Sequence, residues 1–194
     1  MTRLGVLVSG RGSNLEAILD AGLEVAAVIS NRPAVRALEV AAAHGVPVHV
    51  LRRSAYPDAG ARDAAIGTAL AGAGVELAVL AGYDQLLRPP YFAAFGGRTV
   101  NIHPSLLPAH GGAGMMGLAV HASVLAAGEP ETGVTIHEVI PELDAGPILA
   151  QARVPVTAGD TPETLAARVL VVEHRLLVDT LRALAAVPSA ASNG

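Results

Sequence analysis

Two polar side chains, Asn101 and His103, stand two residues apart in the run Asn101-Ile102-His103-Pro104-Ser105-Leu106-Leu107-Pro108. On extended backbone that spacing turns both to one side. Thr99 and Val100 before them read as strand, and Pro104 cannot continue a ladder. An amide donor and an imidazole therefore converge at the carboxyl end of a strand, where open α/β sheets bind ligands. A carbonyl between them can receive a hydrogen bond from Asn101 and a proton from His103, which is equipment for acyl chemistry. Asp144, in the loop Glu142-Leu143-Asp144-Ala145-Gly146-Pro147, adds a carboxylate able to orient that imidazole and favour its charged form. Singly, each is an ordinary turn or surface residue. Together they supply an oxyanion donor, a proton carrier and an orienting acid.

A second segment, Ser9-Gly10-Arg11-Gly12-Ser13-Asn14, leaves the first strand and opens the first helix. Its glycines permit close backbone approach, and the free N–H groups of a helix start favour an anion. Leu15 occupies the place of the third glycine of a dinucleotide fingerprint, and Ser30-Asn31 follow strand two where that motif carries an acid. A monophosphate fits better than a dinucleotide, and a plain glycine turn capped by Ser13 or Asn14 fits equally well. Glu173, in the last helix, either faces solvent or reaches a ligand at the strand ends. The remaining histidines (His44, His49, His110, His121, His137 and His174) lack metal-ligand spacing, so no metal is expected. No G-x-S-x-G elbow is present. Met115-Met116, in the glycine-rich stretch 111–117, read as a flexible lid or packing filler.

Short apolar runs alternating with Ala/Leu-rich stretches must position these groups. Strands are expected at 4–8, 25–30, 46–50, 77–81 and 99–102, with helices at 15–21, 34–44, 61–71 and 90–95. Such βαβα order predicts an α/β fold with a doubly wound, mostly parallel central sheet flanked by helices, Rossmann-like in its N-terminal half. A helix at 118–127 and strands at 132–139 and 148–156 extend it. Asp160-Thr161-Pro162-Glu163 starts a long amphipathic helix through Leu184. Residues 1–188 read as one domain and 189–194 as a frayed tail.

Composition narrows the chemistry. The 194 residues include no cysteine, and all 13 basic residues are arginine. Thiolate nucleophiles, cysteine metal sites, Schiff-base lysines and lysine-dependent P-loops are thereby excluded. A formal charge of −4 with scattered arginines argues against nucleic acid as a partner. No apolar run reaches the ~20 residues of a membrane span, and nothing resembles a signal peptide, so a cytoplasmic protein without membrane partners is expected.

The ordered set of motifs resembles the phosphoribosylglycinamide formyltransferase family, the folate-dependent glycinamide ribonucleotide transformylases of purine biosynthesis. The resemblance runs from about residue 4 to about residue 184. Gly10-Arg11-Gly12-Ser13-Asn14 matches the family's phosphate loop, and Leu80-Ala81-Gly82-Tyr83 matches the strand entering its folate pocket. The run 101–108 matches the formyltransferase signature, and Leu143-Asp144-Ala145-Gly146-Pro147-Ile148 its second catalytic segment.

The resemblance implies a catalytic trio of Asn101, His103 and Asp144. It also implies that Gly12, Ser13 and Asn14 hold a ribonucleotide phosphate, with Glu173 on the ribose. Asp84, Gln85, Leu86, Leu87, Asn101, Ile140, Pro141, Glu142, Leu143 and Asp144 would line the folate pocket, largely through backbone groups. Small molecules are the implied partners: 10-formyltetrahydrofolate as co-substrate, no bound cofactor, and glycinamide ribonucleotide as formyl acceptor. The oligomeric state is left open, monomer or homodimer. Three departures bear on folate affinity more than on chemistry, one of them the stretch 111–117, a glycine-rich version of a lid that varies in the family. Asp84-Gln85 stand where the family often has an apolar and then a basic residue. Ala59 stands where an arginine meets the folate tail, with Arg62 as the nearest substitute.

Formyltetrahydrofolate deformylase, sugar-nucleotide formyltransferase and a silent nucleotide-binding module share parts of this pattern. So does methionyl-tRNA formyltransferase, which would be expected to add a tRNA-binding domain. The deformylase would be expected to add an N-terminal regulatory domain.

Overall fold

A computed structural model describes residues 2–186; the tail expected to fray from residue 189 lies outside them. Among the described residues seven strands form one sheet in the order β3-β2-β1-β4-β5-β6-β7. The strands are β1 (Leu4–Val8), β2 (Val25–Ser30), β3 (Val48–Val50), β4 (Leu77–Leu80), β5 (Arg98–His103), β6 (Glu131–Glu138) and β7 (Ile148–Pro155). The first five are parallel, β6 pairs antiparallel with β5, and β7 pairs antiparallel with β6. The order reverses beside β1, which places a crevice outside its carboxyl end.

The helices are α1 (Ser13–Asp20), α2 (Arg36–Ala43), α3 (Ala59–Gly72), α4 (Pro89–Phe95), α5 (Leu118–Ala126) and α6 (Pro162–Ala186), with a 3-10 turn at Arg53–Ala55. Strand alternation divides the core between the two sheet faces. Val6, Val8 and Val28 pack with Leu15 and Ile18 of α1 and with Leu165, Val169, Leu177 and Leu181 of α6. Leu7, Ile29, Ala78 and Leu80 face the other way, against Ile66 and Leu70 of α3 and Tyr91 and Phe95 of α4.

The differences from expectation have local causes. Strand β3 starts at Val48 rather than residue 46, because Val46 N–H bonds Ala41 C=O and still closes α2. Strand β5 keeps His103, which pairs with Thr135 of β6. Helix α3 starts at Ala59, since Asp58 accepts a hydrogen bond from Ala61 N–H as an N-cap. At the start of α6, Thr161 Oγ1 accepts from Thr164 N–H.

One buried ion pair ties α3 to the loop after β4. Arg62 and Asp63 are 1% and 0% exposed. Arg62 Nη2 lies 2.6 Å from Asp63 Oδ1, and its Nη1 donates to Gln85 Oε1 at 3.3 Å. The second Asp63 oxygen accepts Arg88 N–H at 3.0 Å. Segment 84–88 is thus held from below by charge. Asp63→Asn should leave the guanidinium buried without its partner and cost about 3–5 kcal/mol. A lower midpoint of urea unfolding would report this, whereas a wild-type midpoint would show that the pair carries no weight.

Candidate functional site

A pocket of about 870 Å³ opens at the carboxyl ends of β1, β4 and β5. It brings together Gly12, Ser13, Asn14, Asp84, Gln85, Leu86, Leu87, Asn101, His103, Ile140, Glu142, Leu143, Asp144 and Glu173, which the sequence had nominated from five separate segments. Pro141 does not line it.

At one end, α1 begins at Ser13, two residues earlier than expected, directly after Gly12 in the left-handed region (φ +79°). A Cβ on Gly12 would stand 2.6 Å from the Cβ of Ala37 in α2. This glycine is therefore required by backbone conformation and helix packing, apart from any ligand. Asn14 Nδ2 donates to Glu173 Oε1 at 2.7 Å, which ties α1 to α6, while Asn14 Oδ1 is buried without a partner among the described residues. Burial raises the pKa of Glu173 above the usual 4.5, and the hydrogen bond from Asn14 and the charge of Arg11 only partly oppose it.

At the other end stand Asn101, His103 and Asp144, joined by a histidine that sequence reasoning passed over. Strand pairing sets Asn101 opposite His137 of β6. His137 Nδ1 lies 2.9 Å from Glu138 C=O, so that nitrogen carries the proton and donates. Its Nε2 is left as an acceptor for Asn101 Nδ2–H at 3.1 Å. This arrangement needs a neutral ring. Burial lowers the His137 pKa and His103 adds to the effect, against Glu138 C=O and Asp144. His103 donates from Nε2 to His110 C=O at 2.9 Å, so its Nδ1 is the nitrogen available to the pocket. Asp144 Oδ2 lies 4.0 Å from His103 Nδ1, and Oδ1 lies 3.7 Å from His137 Nε2. The carboxylate sits between two imidazoles, on a residue in the left-handed region (φ 52°). That conformation is costly for a residue with a Cβ and is concentrated at functional sites.

Segment 111–117 and the loop after β4 complete the walls. Gly112 N–H donates to Asp144 Oδ2 at 2.8 Å, which ties the glycine-rich segment 111–117 to the Asn101, His103 and Asp144 cluster. The carboxylate of Asp84 is committed to the protein. Ser9 Oγ, Asn31 Nδ2 and Gln85 Nε2 donate to its Oδ1 at 3.0, 2.6 and 3.2 Å, and Arg32 pairs with Oδ2. Burial alone would raise its pKa, but those hydrogen bonds and the Arg32 charge outweigh burial and hold it below 3.8. Gln85 is also engaged at both ends, by Arg62 and by Asp84. Segment 84–87 is left with its main chain and leucines to offer a ligand. Arg62, expected as a substitute at the folate tail, is enclosed beneath this loop and is unavailable to one. Among the described residues no group of three His, Cys, Asp or Glu is arranged to hold a metal ion, and no helix is long and apolar enough to cross a membrane.

The formyl transferase family profile matches residues 2–181. Phosphoribosylglycinamide formyltransferase from Mycobacterium tuberculosis is 45% identical over 94% of this chain and 85% of its own length. The crystal structure of glycinamide ribonucleotide transformylase 1 from Symbiobacterium toebii superposes with a TM-score of 0.90 at 43% identity, covering 95% of this chain and 88% of that one. The bovine trifunctional purine biosynthetic protein adenosine-3 is 39% identical over 94% of this chain, but the chain spans only 18% of that protein's length. With such identity over nearly its whole extent, on the same fold, the chain belongs to the formyl transferase family and, within it, to the phosphoribosylglycinamide formyltransferases.

Proposed function

We propose that this protein transfers the formyl group of 10-formyltetrahydrofolate to the primary amine of glycinamide ribonucleotide, a step of purine (IMP) biosynthesis. One observation carries the reading. A single pocket runs from the N–H groups that open α1 to the Asn101, His103 and Asp144 cluster, with room for a phosphorylated sugar at one end and an acyl donor at the other. Ser13 and Asn14 hold the phosphate through the start of α1, and Glu173 receives the ribose hydroxyls. The formyl donor lies along segments 84–87 and 140–144.

The acceptor is itself the nucleophile, so no covalent enzyme intermediate is needed. Its amine nitrogen bonds to the formyl carbon, and the carbonyl oxygen becomes an oxyanion. Asn101 donates to that oxygen, with a protonated His103 beside it. Asn101 is set for this because His137 fixes one amide hydrogen and thereby orients the other. The bond from the formyl carbon to the folate nitrogen then breaks, and the proton lost by the amine ends on that nitrogen. Asp144 holds the charged imidazole and organises this transfer. Formylated ribonucleotide and tetrahydrofolate are released. Offering the purified protein both substrates and following both products tests the reading, and an inactive, folded protein would reject it.

Asp144→Asn retains an acceptor for Gly112 N–H but removes the charge between the two imidazoles. Its kcat should fall by at least ~100-fold, with unchanged affinity for the ribonucleotide and an equal or higher melting temperature. A stable Asp144→Asn protein with near-normal turnover would remove the carboxylate from the mechanism.

Glu173 gives a pH-dependent test. Its folded-state pKa is raised, so the native carboxyl keeps its proton when the unfolded one has lost it. Stability is therefore lost as pH rises from about 4.5 through the folded value. Glu173→Gln cannot ionise and should escape that loss. Between pH 5 and 9 its melting temperature should gain on wild type, while ribonucleotide affinity weakens by roughly tenfold, or ~1.4 kcal/mol. Parallel melting curves across that range would show that burial of the charge has no cost.

A further inference from the structure

His121, on α5, lines the pocket and is 4% exposed. Its Nδ1 is enclosed without a hydrogen-bond partner, and no described residue bonds Nε2. The neighbouring imidazoles differ: His103 bonds His110 C=O, His137 bonds both Glu138 C=O and Asn101, and His110 bonds Ser123. A polar ring held this deep with both nitrogens unspent is costly unless a ligand completes it.

Its protonation follows from elementary rules. Burial lowers the ring's pKa below 6.5, and the nearby His103 lowers it further, so the ring is neutral at pH 7. A neutral ring carries one N–H and one bare acceptor. Orphaned buried N–H groups are rarer than under-satisfied acceptors. The enclosed Nδ1 is therefore the bare nitrogen, and Nε2–H is the group left for a ligand in the pocket.

Position says what that ligand group is. Helix α5 packs on α6, which carries Glu173, and His121 is near enough to His103 for their charges to interact. His121 thus lines the pocket close to His103, on a helix packed against the one that carries Glu173. On the functional reading above, on which this inference rests, this part of the pocket is crossed by the glycinamide arm. The arm's one oxygen acceptor is its amide carbonyl. We infer that His121 donates a hydrogen bond from Nε2 to this carbonyl, aiming the amine at the formyl carbon and selecting acceptors that carry an amide arm.

Two substitutions test this. His121→Phe keeps the ring volume and removes the donor, while His121→Gln places an amide N–H near the Nε2 position. For glycinamide ribonucleotide, kcat/KM should fall roughly 10- to 100-fold in His121→Phe, and His121→Gln should recover most of it. The KM for 10-formyltetrahydrofolate should stay unchanged. So should the affinity for ribose 5-phosphate, a probe with the phosphate and sugar but no arm, and the melting temperature should not fall. The inference is overturned if His121→Phe matches an active wild type, if His121→Gln is no better than His121→Phe, or if ribose 5-phosphate affinity falls as far as that for the ribonucleotide. A wild type that forms no product from glycinamide ribonucleotide would overturn the functional reading, and this inference with it.

Discussion

Strand β6 pairs antiparallel with β5, and this one pairing organises the end of the pocket that holds Asn101, His103 and Asp144. It sets Asn101 opposite His137 and His103 opposite Thr135. It also sends the chain out of β6 through the loop that carries Asp144. A parallel partner in the same place would shift the register and direct the following loop to the other end of the sheet. The bond from Asn101 to His137 Nε2 is the local expression of the pairing. It needs an uncharged His137, and burial supplies that condition. His103 sits two residues further along β5, with one nitrogen fixed by His110 C=O and the other facing Asp144. Both imidazoles are buried beside Asp144, but their hydrogen bonds differ: His137 spends Nε2 on Asn101, whereas among the described residues His103 keeps Nδ1 free of any other partner.

The opposite wall shows how a departure from the family pattern is absorbed. Asp84 would be an unwelcome negative charge in a pocket read as binding anionic substrates. Its oxygens are instead covered by Ser9, Asn31, Arg32 and Gln85, so the charge is neutralised within the protein. Gln85 then links this cluster to the buried Arg62 and Asp63 pair. A basic side chain at position 85 would face the Arg62 guanidinium across that contact. The carboxamide, with one donor end and one acceptor end, suits a position between a cation and an anion. The same chain of contacts joins the carboxyl ends of β1, β2 and β4, on which the pocket rests.

The main elements were legible because each carries a strong local signal. The buried β1, β2 and β4 are short apolar runs, α6 has an evident start at Thr161 and Pro162, and Gly12 marks a left-handed turn. That Asn101, His103 and Asp144 come together was legible through spacing and loop chemistry. His137 was not, because its partner Asn101 lies 36 residues away and the link depends on an antiparallel register that no local pattern encodes. Arg62 was misjudged for a related reason. An arginine in a helix reads as exposed, and only the packing of α3 beneath segment 84–88 reveals that it is enclosed. His121 was passed over because an isolated histidine on an apolar helix is ordinarily a core residue, and its unspent nitrogens are visible only in three dimensions.

The central claim is that Asn101 and His137 act as one unit in stabilising the oxyanion. A double-mutant cycle on the single-turnover rate of formyl transfer, using Asn101→Ala, His137→Leu and the pair, measures it directly. The account predicts strong non-additivity, with the double variant little slower than Asn101→Ala and a coupling of about 1 kcal/mol or more. Effects that add within about 0.5 kcal/mol would contradict it, and would mean that His137 supports the strand without orienting the amide.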